Sequence, residues 1–202
     1  MPGTSFASAA RSFVELVREI PDDAWDGPGL GEWDLRALVG HAARSLTTVL
    51  TYLQTSAEHE DVTTPEEYYL RVTPSALGID PADVAERGRQ AGRDLGPDPA
   101  VAVERLADLA LATLATAGDP LMTVIGGLGI RLSTYLPTRT FELVVHSLDI
   151  ANATGIGYPP ATDALAEAVG LATRIATATG HGQTLLLALT GRRDLPRAFS
   201  VV

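Results

Sequence analysis

A chain of 202 residues that is 46% hydrophobic is long enough to bury one core of its own. Its aromatic content of only 5%, with much alanine, suits closely packed helices better than a sandwich or barrel. The formal net charge of −10 argues against nucleic acid or an anionic membrane as partner. All 15 basic residues are arginine and cysteine is absent, which excludes a lysine Schiff base, a thiolate nucleophile, cysteine-ligated zinc and a disulfide framework. No apolar run reaches the roughly 18 residues of a membrane span, and the N-terminus lacks the basic start and apolar block of a secretory signal. A cytoplasmic protein is the resulting expectation.

Apolar residues at helical spacing from Ser5 to Ile20 predict a first helix that stops at Pro21. Pro21 to Trp33 reads as a loop rich in Pro, Gly and Asp. Asp34 then caps a long second helix from Leu35 to about Thr55, with His41 beside its apolar stripe. Residues Ser56 to Gly78 are polar and mixed, with a short helical turn at Tyr68-Tyr69-Leu70. Asp80-Pro81 opens a helix to about Leu95, and Pro99 to Ala117 forms another long one. Met122 to Tyr135 is rich in β-branched residues around Gly126, Gly127 and Gly129, which suggests a short hairpin or an extended connector. Pro137 is expected in the first turn of a helix that ends near Gly155. Thr162 or Asp163 would cap a further helix to about Thr179, and residues 184–190 look strand-like. The sum is a mainly all-α chain, a bundle of four or more main helices with minor β structure. It divides into a bundle over 1–183 and a strand-like tail over 184–202.

The most informative segment runs from Arg139 to Asp149. As a helix it places Arg139, Glu142, His146 and Asp149 at i, i+3, i+7 and i+10, a polar stripe among apolar neighbours. A buried carboxylate and imidazole are costly unless something pairs with them. Glu142 and His146 are spaced to reach one metal ion from adjacent turns, and His41 is a third candidate ligand on another helix. The plainer alternative is two ordinary core histidines, with Glu142 paired to Arg139. Arg139 either binds a substrate carboxylate or orients Glu142, and the second is favoured. Asp149 either accepts a hydrogen bond from a ligand histidine or is a solvated helix-end carboxylate. Trp33 reads as packing at the start of the second helix, His59 and His181 as loop residues, and Tyr68, Tyr69 and Tyr135 as packing rather than pocket residues.

The segment Gly31-Glu32-Trp33-Asp34-Leu35-Arg36-Ala37-Leu38-Val39-Gly40-His41 resembles the opening of the second helix in the DinB-like superfamily, in its mycothiol-dependent maleylpyruvate isomerase branch. Arg139-x-x-Glu142-x-x-x-His146-x-x-Asp149 is similar to the R-x-x-E-x-x-x-H-x-x-D element of that branch, and residues 185–192 look like a tail found among its members. The resemblance implies a DinB-like four-helix bundle in which His41, Glu142 and His146 hold zinc or another divalent metal. It also implies mycothiol as cosubstrate. The isomerase carries a larger second domain where this chain has only its tail, so metal-and-thiol chemistry is the part expected to carry over.

The function expected is therefore a zinc-dependent enzyme using a low-molecular-weight thiol for S-transfer or isomerisation on an electrophilic small molecule. A metal-dependent hydrolase of the same fold, or a non-catalytic bundle with a structural metal, is the alternative. The partners are a small-molecule thiol and its electrophile, with no nucleic acid and no membrane, and a homodimer is expected.

Overall fold

The computed structural model describes residues 3–73, 76–78 and 80–202. Residues 74 and 75 of the polar stretch, and Met1 and Pro2 of the N-terminus, lie outside the described residues. Helix α1 (Thr4–Arg18) starts after Gly3, whose φ of 96° is left-handed. Helix α2 (Leu35–Tyr52) starts where the Asp34 carboxylate accepts from the Ala37 amide at 2.7 Å, satisfying an orphan donor of the first turn. Thr64 and Asp98 cap α3 (Pro65–Arg71) and α5 (Pro99–Leu114) in the same way, and Asp80 caps the intervening α4 (Pro81–Asp94). Each of these three has proline at the start, where its missing N–H costs nothing. Helices α2 and α5 end about a turn before the points that apolar spacing suggests.

Strands β1 (Leu121–Thr123) and β2 (Gly129–Arg131) form an antiparallel hairpin, with Met122 opposite Ile130. Their turn needs left-handed backbone at Gly126 and Gly127, with φ of 77° and 74°. Helix α6 (Leu132–Thr154) begins five residues before Pro137, which therefore lies inside the helix rather than in its first turn. The reason is a cap from afar: Asp119 accepts from the Ser133 amide at 2.7 Å and its hydroxyl at 2.9 Å.

Neither Thr162 nor Asp163 caps α7 (Thr162–Ala178). Asp163 instead accepts from Ser8 of α1 at 2.8 Å. Residues expected as a C-terminal strand form α8 (Gly182–Leu189), which packs on α7. A short leucine-rich run carries no period that separates strand from helix, and among the described residues the one sheet is the β1–β2 hairpin. The boundary placed between 183 and 184 falls within this helix.

Helices α1, α5, α2 and α6 pack in that cyclic order and make the four-helix bundle, with Phe6, Phe13, Leu38, Leu46, Val103, Leu143 and Ile150 buried among them. Helix α7 covers α1 and α6, and α4 lies against α2. That last approach is close: a methyl on Gly40 would sit 2.2 Å from the Gly92 nitrogen, and one on Gly88 2.5 Å from the Trp33 ring. Among the described residues, no helix is long and apolar enough to cross a membrane.

Candidate metal centre and its pocket

His41 comes from the second turn of α2, while Glu142 and His146 come from successive turns of its neighbour α6. One ligand atom of each lies within 4.8 Å of those of the other two. Glu142 Oε2 and His146 Nε2 are 3.3 Å apart. Two ligands about 2.1 Å from a tetrahedral ion would be separated by about 3.4 Å, so this pair already has the right spacing. Among the described residues the cluster has only these three donors.

Each donor is held by something else. His146 Nδ1 lies 3.1 Å from Asp149 Oδ2, which fixes the proton on Nδ1 and leaves Nε2 turned toward Glu142. Tyr69 donates its phenolic hydrogen to Glu142 Oε1 at 2.8 Å, leaving Oε2 for the cluster. The His41 ring stacks at 4.5 Å on Trp33 and meets the His146 ring edge-on at 4.8 Å. Trp33 is anchored by its indole N–H to the Ala85 carbonyl of α4 at 2.9 Å. His41 Nδ1 is buried with no hydrogen-bond partner, an orphan of the kind that a bound cation satisfies. The donor set of two imidazoles and a carboxylate fits zinc or a similar divalent ion.

The protonation states differ along the cluster. Burial first, then the charge of His146, lowers the His41 pKa to about 4. Burial would raise Glu142, but the His146 hydrogen bond, the Arg139 charge and the Tyr69 hydroxyl outweigh it and bring the pKa down to about 2. Burial would lower His146, yet its hydrogen bonds to Asp149 and Glu142 raise it to about 9. Burial and the Glu142 charge push the Tyr69 phenol well above its usual value, so it stays a donor.

A cavity of about 290 Å³ reaches His41 and Glu142, with Thr48, Tyr68, Tyr69 and Tyr135 among its walls. That is room for a small metabolite and not for a polymer. The tyrosines expected to serve only as packing therefore line the pocket. Arg139 makes no ion pair with Glu142. Its guanidinium carbon lies 4.8 Å from the Tyr135 ring centre and 5.4 Å from that of Tyr68, and its Nε donates to Thr138 Oγ1 at 3.0 Å. The plainer expectation of an Arg139–Glu142 ion pair is thus corrected, while the Arg139 charge still helps keep the Glu142 carboxylate ionised. His59 and His181 are exposed and outside the cluster.

Arg44 and Arg87 also line the pocket, and the sequence reading passed over both. Arg44 had a signal, because it sits one turn after His41 on the same helix face. Arg87 had none, because only the docking of α4 brings it there.

A family model described as the mycothiol maleylpyruvate isomerase N-terminal domain matches residues 6–151. That span takes in the four bundle helices almost whole, with both segments that carry the donors. No curated protein and no solved structure matches the chain.

Proposed function

The chain belongs to the mycothiol maleylpyruvate isomerase N-terminal domain family, and from that premise we propose a zinc-dependent enzyme that uses a low-molecular-weight thiol, mycothiol, for S-transfer or isomerisation on an electrophilic small molecule. The observation that carries this reading is a set of three protein donors, His41, Glu142 and His146, beside a cavity of about 290 Å³. Structural zinc sites are closed by four protein ligands, whereas catalytic ones keep a position for substrate. Only three donors converge here among the described residues, which favours the catalytic alternative over a structural metal.

A divalent ion held by these residues would lower the pKa of a thiol at its open position, so that thiolate is available at neutral pH. The chain itself supplies no thiol, since it has no cysteine. The roles of the protein groups follow from their contacts. With the Nε2 proton displaced by a metal, Asp149 would hold the His146 imidazole in the tautomer whose Nε2 lone pair faces the cluster, and Tyr69 holds the Glu142 carboxylate. Trp33 holds the His41 ring from the side of α4.

The test is elemental analysis of protein purified without affinity tag or chelator, beside His41→Ala and Glu142→Ala. About one zinc per chain, lost in both variants, is the expected result. Zinc-dependent loss of free mycothiol in the presence of an activated alkene should follow in the wild type alone. A wild-type protein that neither holds nor rebinds zinc would overturn the reading.

A further inference from the structure

The three donors of the cluster are not supported alike. Glu142 is held by a hydrogen bond from Tyr69, and His146 by one to Asp149. His41 has no such partner: its Nδ1 is buried and unbonded, and its ring meets the Trp33 and His146 rings instead. Glu142 and His146 share α6, so their mutual spacing comes with the helix, whereas His41 arrives on α2. Whether all three donors meet at one ion therefore turns on where the His41 ring points. Trp33 is the ring that bears on it from outside the cluster, at 4.5 Å and tilted by 34°.

Trp33 is itself placed by α4. Its indole N–H donates to the Ala85 carbonyl at 2.9 Å. Gly88, three residues further along α4, is bare where the indole passes. A methyl there would sit 2.5, 2.6 and 2.8 Å from the ring atoms Cε2, Cζ2 and Nε1. An indole cannot fold away from such a contact as an aliphatic chain does. The backbones of α4 and α2 also touch at Gly40 and Gly92. A side chain at position 88 must therefore either push the indole aside or unseat the helix, and both change what bears on His41. Packing at the start of α2 is thus only part of what Trp33 does, because one ring joins α4 to a metal donor.

We propose that Trp33 is a positioning residue for His41, and that the seating of α4 on α2 sets zinc affinity through it. The inference rests on reading His41, Glu142 and His146 as a metal site. Its basis is steric rather than polar: an imidazole without a hydrogen bond to orient it keeps one rotamer only where its neighbours exclude the others. Val84 and Arg87 of α4 stand in the wall of the cavity beside the cluster. The helix that places Trp33 therefore also meets whatever occupies that cavity, although it supplies no donor of its own.

Zinc affinity, measured by competition with a chromophoric chelator, and the visible spectrum of cobalt-loaded protein both report on the donors. Trp33→Leu and Gly88→Ala should weaken zinc by about 10–100-fold, the usual cost of losing a group that orients a ligand, and should alter the cobalt spectrum. Val103→Ala, a core truncation in α5, should lower the Tm and leave both readouts as in the wild type. Trp33→Phe keeps a ring against His41 and makes room for a methyl at position 88. The Gly88→Ala/Trp33→Phe double variant should therefore bind zinc no more weakly than Trp33→Phe alone. Wild-type affinity and spectrum in Gly88→Ala overturn the proposal, as do losses that simply add in the double variant. Should Trp33→Leu not fold, these two variants decide alone. Proton NMR of metal-free protein separates this inference from the reading beneath it. The His41 ring protons lie close to the indole and should shift in Gly88→Ala. Such a shift in a chain that binds no metal would keep Trp33's hold on His41 and remove the zinc reading. Zinc bound equally by wild type and Gly88→Ala would do the reverse.

Discussion

At the scale of single residues, the contacts of His146 set the proton balance of the whole cluster. Two carboxylates flank its imidazole, Glu142 on Nε2 and Asp149 on Nδ1, and together they raise its pKa to about 9. His41, lowered to about 4, is already neutral at pH 7, and Glu142, lowered to about 2, is already ionised. A metal ion must therefore displace one proton at neutral pH, and that proton comes from His146. Because a raised pKa means the proton is bound below about 9 and lost above it, apparent zinc affinity should climb with pH and level off above about 9. The climb is about tenfold per pH unit for one competing proton. Titration calorimetry at pH 7 in buffers of different ionisation enthalpy should show release of about one proton per zinc. A slope near zero would mean that His146 is neutral before the metal arrives.

At the scale of elements, the contact of α4 on α2 leaves no room for a side chain between the two backbones. Gly40 and Gly92 let the two backbones touch, and a methyl on Gly40 would meet the Gly92 nitrogen at 2.2 Å with no side chain to give way. Overpacking of this kind costs about 1–3 kcal/mol. Gly40→Ala should therefore lower the Tm by roughly 2–12 °C for a chain of this length. Gly170→Ala in α7 is the control, because its methyl meets only the Arg174 tip at 3.5 Å and should leave Tm unchanged or slightly higher. Calorimetric scans of the two variants decide it, and equal Tm values would remove the packing argument. The same approach carries Arg87 to the cavity and fixes Trp33 through the Ala85 carbonyl, so α4 shapes the site without supplying a donor to the cluster.

At the scale of the whole molecule, the cluster ties α2 to α6, two neighbours in the ring of four bundle helices. An ion bound only by the folded arrangement adds its binding free energy to folding. Free zinc at about 100 times its Kd contributes about 2.7 kcal/mol, or roughly 5–11 °C in Tm. Wild-type protein should lose that increment on chelation and regain it with zinc, while Glu142→Ala should show neither change. A zinc-dependent shift of equal size in Glu142→Ala would place the binding elsewhere.

The sequence by itself determined whatever is local. Apolar spacing marked the main helices, and Asp34, Thr64, Asp80 and Asp98 act on amides two or three residues away, so their helix starts lie at or beside residues that the chain order exposes. Glu142, His146 and Asp149 share one helix, and their contacts with one another follow from a 3.6-residue repeat. The tertiary structure alone decided the rest. The α6 start depends on Asp119, fourteen residues upstream of Ser133, and residues 182–189 are helical where the short leucine-rich run carries no deciding period. His41, Tyr69, Arg87 and Arg139 come from four different helices, and only packing makes neighbours of them. Residues within a turn or two of one another inherit their spacing from the helix, whereas residues far apart acquire theirs from the way whole elements bury their apolar faces.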